Sequence, residues 1–155
     1  MTNEEIMRRA VLLSEENVRN GGGPFAAVIA KDGEIVAEGC NRVTADSDPT
    51  AHAEVSAIRA ACKKLSVFNL SEYEIFTSCE PCPMCLGAIY WAHLKKIWYG
   101  NTRKDAAEIG FDDDFIYKEI PLPLEKRLIP MENLLRGESI ACFKQWNEKS
   151  DKTEY

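Results

Sequence analysis

Tyr73-Glu74-Ile75-Phe76-Thr77-Ser78-Cys79-Glu80-Pro81-Cys82-Pro83-Met84-Cys85 carries an apolar strand straight into a cysteine-bearing turn. Residues 73–77 have the aromatic and β-branched content of a strand. From Cys82 the pattern becomes helical, and that helix is expected to end near His93. Cys82 and Cys85 are spaced i, i+3, which puts both sulfurs on one face of its first turn. Partial positive charge at a helix N-terminus favours the thiolate, the form that binds metal.

On the amino-terminal side, Asp48-Pro49-Thr50 reads as a helix start, and Ala53, Ala57, Ile58 and Ala61 carry that helix to about Lys64. His52 and Glu54 fall at its beginning. Further upstream, apolar runs at 25–30 and 34–37 flank Lys31-Asp32-Gly33, which predicts a β-hairpin. Thr2 and Glu5 form a capping-box pair, and Ile6, Ala10 and Leu13 then recur at helical spacing. This first helix should run to about Asn20, where Gly21-Gly22-Gly23-Pro24 stops it. On the carboxyl side, residues 96–99 read as a strand. Pro121, Pro123 and Pro130 break the stretch that follows, and a last helix is expected over 138–149. A hairpin followed by helix, strand, helix and strand predicts an α/β fold, a mixed sheet with helices on both faces.

A chain of 155 residues fits one compact domain spanning 1–155. It has no apolar run near the roughly 18 residues that a membrane span requires. The amino terminus lacks a basic stretch followed by an apolar core, so a cytoplasmic location is expected. Of six cysteines, Cys79, Cys82 and Cys85 crowd together, while Cys40, Cys62 and Cys142 are scattered. Reduced thiols in such a cluster point to metal or redox chemistry; the scattered three read as small buried apolar residues. Nineteen basic against 25 acidic residues give a net charge of −6. That balance disfavours a nucleic-acid backbone as partner and favours a small molecule.

One histidine nitrogen and two thiolates would give zinc three protein ligands and leave a tetrahedral position for water, the arrangement of a catalytic site. A zinc-bound hydroxide then becomes available near neutral pH. Glu54, two residues from His52, is placed to shuttle protons. Each piece alone has a plainer reading: a C-x-x-C redox pair, half a structural zinc knuckle, or a closed site with Cys79 as fourth ligand. A structural zinc module has no use for Glu54, and a redox pair explains neither His52 nor Glu54. His-x-Glu and Pro-Cys-x-x-Cys together, with a strand between them, form the known signature of the zinc deaminases.

At these residues the chain resembles the cytidine deaminase superfamily, and within it the bacterial guanine deaminases. The resemblance extends over Gly22-Gly23-Pro24-Phe25, Asn41, residues 48–54 and 77–91, Gly110-Phe111-Asp112-Asp113, residues 115–119 and Glu154-Tyr155. It implies a three-layer α/β/α domain with a five-stranded mixed sheet and one Zn2+. The implied reaction is hydrolysis of guanine at C2 to xanthine and ammonia. It further implies His52, Cys82 and Cys85 as zinc ligands and Glu54 as proton shuttle. Asn41 would hydrogen-bond the base, Phe25 would line its face, and Trp91 would lie beside the site. Asp113 would accept hydrogen bonds from guanine's N–H donors, which a base without them would leave unpaired; otherwise 112–114 is a solvated acidic loop. The resemblance also implies a homodimer in which a segment of about 138–155 is exchanged and Tyr155 closes the partner's site. Guanosine deamination, cytosine deamination and tRNA adenosine deamination stay open as alternatives. The last would need a basic surface to hold RNA.

Overall fold

The turn Asp32-Gly33 has both residues at positive φ, 50° and 82°. This two-residue turn matches the twist of paired strands, and it joins β1 (Ala26–Lys31) to β2 (Glu34–Cys40). The computed structural model describes all 155 residues, which divide into two units, Met1–Asp114 and Phe115–Tyr155.

In the first unit β1 pairs antiparallel with β2 on one side and with β3 (Glu74–Cys79) on the other. β3 pairs parallel with β4 (Lys96–Asn101), giving the order β2-β1-β3-β4. β1 is buried along its apolar length because both faces are covered, so its sequence does not alternate. One face takes α1 (Asn3–Arg19), which begins with the Thr2–Glu5 capping box and sets Ile6, Ala10 and Leu13 on Ala26, Val28, Ala30 and Phe76. After β2 comes a single helical turn, α2 (Val43–Asp46). The opposite face takes α3 (Ala53–Leu65) and α4 (Pro83–Trp91); Ala53, Ala57 and Ala61 of the first, with Ile89 and the C-cap Ala92 of the second, pack on Ala27, Ile29 and Ile75. Helix, sheet and helix therefore form three layers in this unit.

α3 lies unusually close to β2. A Cβ on Gly39 would sit 2.4 Å from the Ala57 nitrogen and 2.5 Å from the Ala53 carbonyl oxygen. Glycine on the strand and alanines on the helix are thus a steric requirement of the approach.

Two expectations are corrected. The sheet has four strands, where five were implied. After β4 the chain turns at once into α5 (Arg103–Glu108), started by a Thr102–Asp105 capping box. The later stretch holds Pro121, Pro123 and Pro130, which lack the N–H that a ladder needs. The helix signalled at Asp48-Pro49-Thr50 begins later, at Ala53. Asp48 Oδ1 accepts from the Thr50 N–H at 2.8 Å and from its hydroxyl at 2.7 Å, so this side chain closes a turn and the helix cap passes to His52.

The second unit carries α6, which starts at the boundary (Asp114–Glu119), a 3-10 turn at Leu124–Lys126, and α7 (Arg136–Glu148). Leu128 N donates to Glu119 Oε2 at 2.7 Å and Arg127 Nη2 to the Ile120 carbonyl at 2.6 Å, folding the proline-rich stretch back on α6. No helix of the protein is long and apolar enough to cross a membrane.

Candidate active site

Two helix starts meet at one point. His52 is the N-cap of α3, Cys82 is the N-cap of α4, and Cys85 lies in the first turn of α4 behind Pro83, whose fixed φ suits that position. Cys82 Sγ accepts from the Cys85 backbone N–H at 3.5 Å. His52 Nδ1 is 3.6 Å from Cys82 Sγ and 3.5 Å from Cys85 Sγ. The three donor atoms lie within 4.8 Å of one another, with Cys85 buried and the other two half-buried. One imidazole nitrogen and two sulfurs so disposed fit a tetrahedral zinc ion with one position left over.

Electrostatics suit that use. A hydrogen bond from the Cys85 thiol, aided by His52, holds the Cys82 thiol far below its usual range. Sharing that hydrogen bond, with burial, pushes Cys85 up. Cys79, the possible fourth ligand, stands apart from the cluster. Its Sγ points to the Thr102 carbonyl at 3.7 Å, and burial raises its thiol to about 11.

Glu54, in the first turn of α3, is 7% exposed, an acid in the core beside the His52, Cys82 and Cys85 cluster. Burial raises its pKa, outweighing hydrogen bonds to its own backbone and to Cys85. Thr77 Oγ1, on β3, lies 3.3 Å from Glu54 Oε1 and 3.0 Å from the Cys79 carbonyl oxygen. Nothing in the sequence marks Thr77 except its place on a strand facing α3.

Asp113 comes to the same place from beyond α5. Its charge bears on His52, Cys79 and Cys82, and burial lifts its own pKa. The approach depends on Gly110 at φ 92° and on Arg103, which clasps Glu80 of the cysteine loop through Nε at 3.1 Å and backbone N at 3.0 Å. Phe25 meets Phe111 edge-to-face, with ring centroids 4.9 Å apart and planes at 89°. The role of the Phe111 ring, like that of Thr77, was not read from the sequence. Asn41 follows β2, where its Oδ1 accepts from the Val43 N–H at 3.2 Å and its own N–H donates to the Phe25 carbonyl at 3.0 Å. Trp91 ends α4 with 67% of its surface exposed, and Tyr155 ends the second unit with 74% exposed.

Residues 1–101 match the profile of the cytidine and deoxycytidylate deaminase zinc-binding region. Over its full length the chain is 54% identical to guanine deaminase of Bacillus subtilis (strain 168), covering 100% of both proteins. The X-ray structure of guanine deaminase from Bacillus subtilis superposes with a TM-score of 0.97, covering 100% of this chain and 99% of the other. A solved structure in complex with 2,6-diaminopurine is 32% identical, with a TM-score of 0.68 over 97% of this chain and 83% of the other. The tRNA-specific adenosine deaminase of Haemophilus influenzae is 35% identical over 72% of this chain and 68% of its own length.

Proposed function

The chain belongs to the cytidine and deoxycytidylate deaminase zinc-binding family, and from that membership we propose that it hydrolyses guanine to xanthine and ammonia. The observation that carries the substrate choice is Asp113, a half-buried carboxylate whose charge reaches His52 and Cys82. Guanine presents ring N–H and amino donors to such an acceptor. Adenine's edge mixes donor and acceptor differently and would leave the carboxylate underused.

His52 Nδ1, Cys82 Sγ and Cys85 Sγ would hold the zinc ion. Bound there, zinc supplies the Lewis acidity that makes water nucleophilic near neutral pH. Glu54 accepts one proton of the attacking water and hands it to the ring nitrogen; it then takes the remaining proton from the new C2 hydroxyl and delivers it to the departing amine as the C–N bond breaks, so one guanine and one water give one xanthine and one ammonia. The raised pKa of this carboxyl matches a group that must both take and return a proton. The Thr77 hydroxyl holds Oε1 and so fixes which oxygen faces the substrate. Phe25 and Phe111 cover the faces of the base, and Asn41 and Asp113 read its edge. The thiolate ligands require a reducing compartment, which suits the cytoplasm. A homodimer with residues of about 138–155 exchanged would bring Tyr155 to the partner's site, next to Trp91 at the end of α4.

The deciding experiment incubates zinc-loaded protein separately with guanine, guanosine, adenine, cytosine and cytidine, and measures ammonia. Guanine should release ammonia fastest. Ammonia from guanosine at equal rate would show that the pocket admits a ribose at N9, and release from adenine alone would overturn the reading.

A further inference from the structure

Gly21-Gly22-Gly23-Pro24 ends α1, yet its run of glycines exceeds what a helix stop requires. The reason lies in Asn17, in the last turn of α1. Its Nδ2 donates to the Gly23 carbonyl at 2.7 Å and to the Asn41 carbonyl at 3.0 Å. Only the amide nitrogen can face two carbonyls, so this orientation of the side chain is fixed by its partners. Phe25 N also donates to the Gly23 carbonyl, at 2.9 Å, and Asn41 N donates to the Phe25 carbonyl at 3.0 Å. Asn17, Gly23, Phe25 and Asn41 thus form a closed ring of hydrogen bonds. The ring contains Phe25 and Asn41, the residues read above as covering the face and reading the edge of the base.

Gly22 makes room for it. A Cβ on Gly22 would sit 2.4 Å from Asn17 Nδ2 and 2.8 Å from Cγ. The loop is glycine there because the Asn17 amide occupies the space where a side chain would be.

We propose that Asn17 is a positioning residue for the purine pocket. It touches no substrate, but it clamps the end of β2 to the loop before β1 and so sets the distance between Asn41 and the Phe25 ring. This rests on the reading of Phe25 and Asn41 as base-contacting residues. The clamp acts on binding, because none of its hydrogen bonds engages His52, Cys82, Cys85 or Glu54.

Asn17→Ala removes both donors, and Gly22→Ala pushes the intact amide aside. The second variant disturbs only the far end of a flexible side chain and should fold. In the zinc-loaded full-length protein, both should raise KM for guanine on the order of tenfold and keep kcat within about threefold. Zinc per chain should not change. Amide hydrogen exchange at Phe25 and Asn41 should quicken about tenfold in each variant, since their bonds lose the ring that closes them. Unaltered exchange would overturn the clamp whatever the kinetics. Faster exchange with KM unmoved would reduce Asn17 to a structural role, and a fall in kcat with KM unmoved would contradict a role in binding. If the unsubstituted enzyme releases no ammonia from guanine, the substrate reading fails separately, and the clamp stands or falls on the exchange data alone.

Discussion

Glu54 is the side chain on which most of the proposed chemistry turns, and it is also the hardest to keep where it is. A carboxyl 7% exposed in an alanine-lined helix start needs a partner, and Thr77 supplies one. Glu54→Gln keeps the shape and a hydrogen bond but not the proton, so ammonia release from guanine should fall by ~10² to 10⁴ with zinc content unchanged. Thr77→Val leaves the carboxylate without its anchor, and kcat should drop by about tenfold while Thr77→Ser recovers most of it, as a steady-state comparison would show. A Thr77→Ser variant as impaired as Thr77→Val would show that the hydroxyl alone does not carry the effect. Asp113→Ala should lower guanine turnover more than turnover of any weaker substrate, at constant zinc. Equal loss on all of them would make Asp113 a folding residue. At this scale the sequence was readable where spacing encodes geometry. His52, Cys82 and Cys85 converge as their pattern implies, because helix starts hold caps and first-turn residues in fixed positions. Thr77 was invisible, since its role depends on the register of β3 under α3. Cys79 stays out of the cluster, as Glu54 argued from the sequence, because it belongs to β3 and points toward Thr102.

Elements with a strong period were legible to within a few residues. The first helix was expected to about Asn20 and ends at Arg19, and the hairpin turn falls at Asp32-Gly33. Residues 96–99 lie inside β4 (Lys96–Asn101), and α7 begins two residues before the expected 138. Boundaries failed where a side chain competed with the backbone, as at Asp48, whose turn delays α3. The region after β4 was least readable. Its structure is set by short capping boxes and side-chain-to-carbonyl bonds, which carry no periodic pattern. One tie between elements has a pH signature. Arg9 of α1 grips Glu38 of β2 with Nε to Oε1 at 2.7 Å and Nη2 to Oε2 at 2.9 Å, and this hydrogen bonding holds the Glu38 carboxyl below its ordinary value of 4.5. A lowered folded-state pKa means stability that is complete above about pH 4.5 and is lost as pH falls through the folded value. Thermal melts of Glu38→Gln should therefore lie below the parent's at pH 6 to 7, and the two should converge as pH falls through the lowered folded-state value. A difference that persists at low pH would show that the pair contributes through packing alone.

For the whole molecule the open question is assembly. An exchanged carboxyl segment makes a sharp expectation: chains ending at Ser150 should fold and bind zinc yet handle guanine poorly. Mixing them with full-length Glu54→Gln chains should restore some activity, because each supplies what the other lacks. Unchanged kinetics after truncation, or a fully active monomer on sedimentation, would remove the exchanged dimer from the picture. The acidic net charge of −6 fits a small uncharged base as substrate better than RNA, and the similarity to a tRNA deaminase covers less of the chain than the similarity to the guanine enzyme does. The contact of β2 with α3 reaches further than stability. Every missense change open to the glycine codon at position 39 adds a Cβ, and that Cβ meets backbone at 2.4 and 2.5 Å on the helix that carries Glu54. In a genetic screen for loss of purine-base utilisation, Gly39 should then yield null alleles as readily as Glu54 itself. Immunoblots should tell them apart, since the Gly39 alleles lose the protein while the Glu54 alleles keep it.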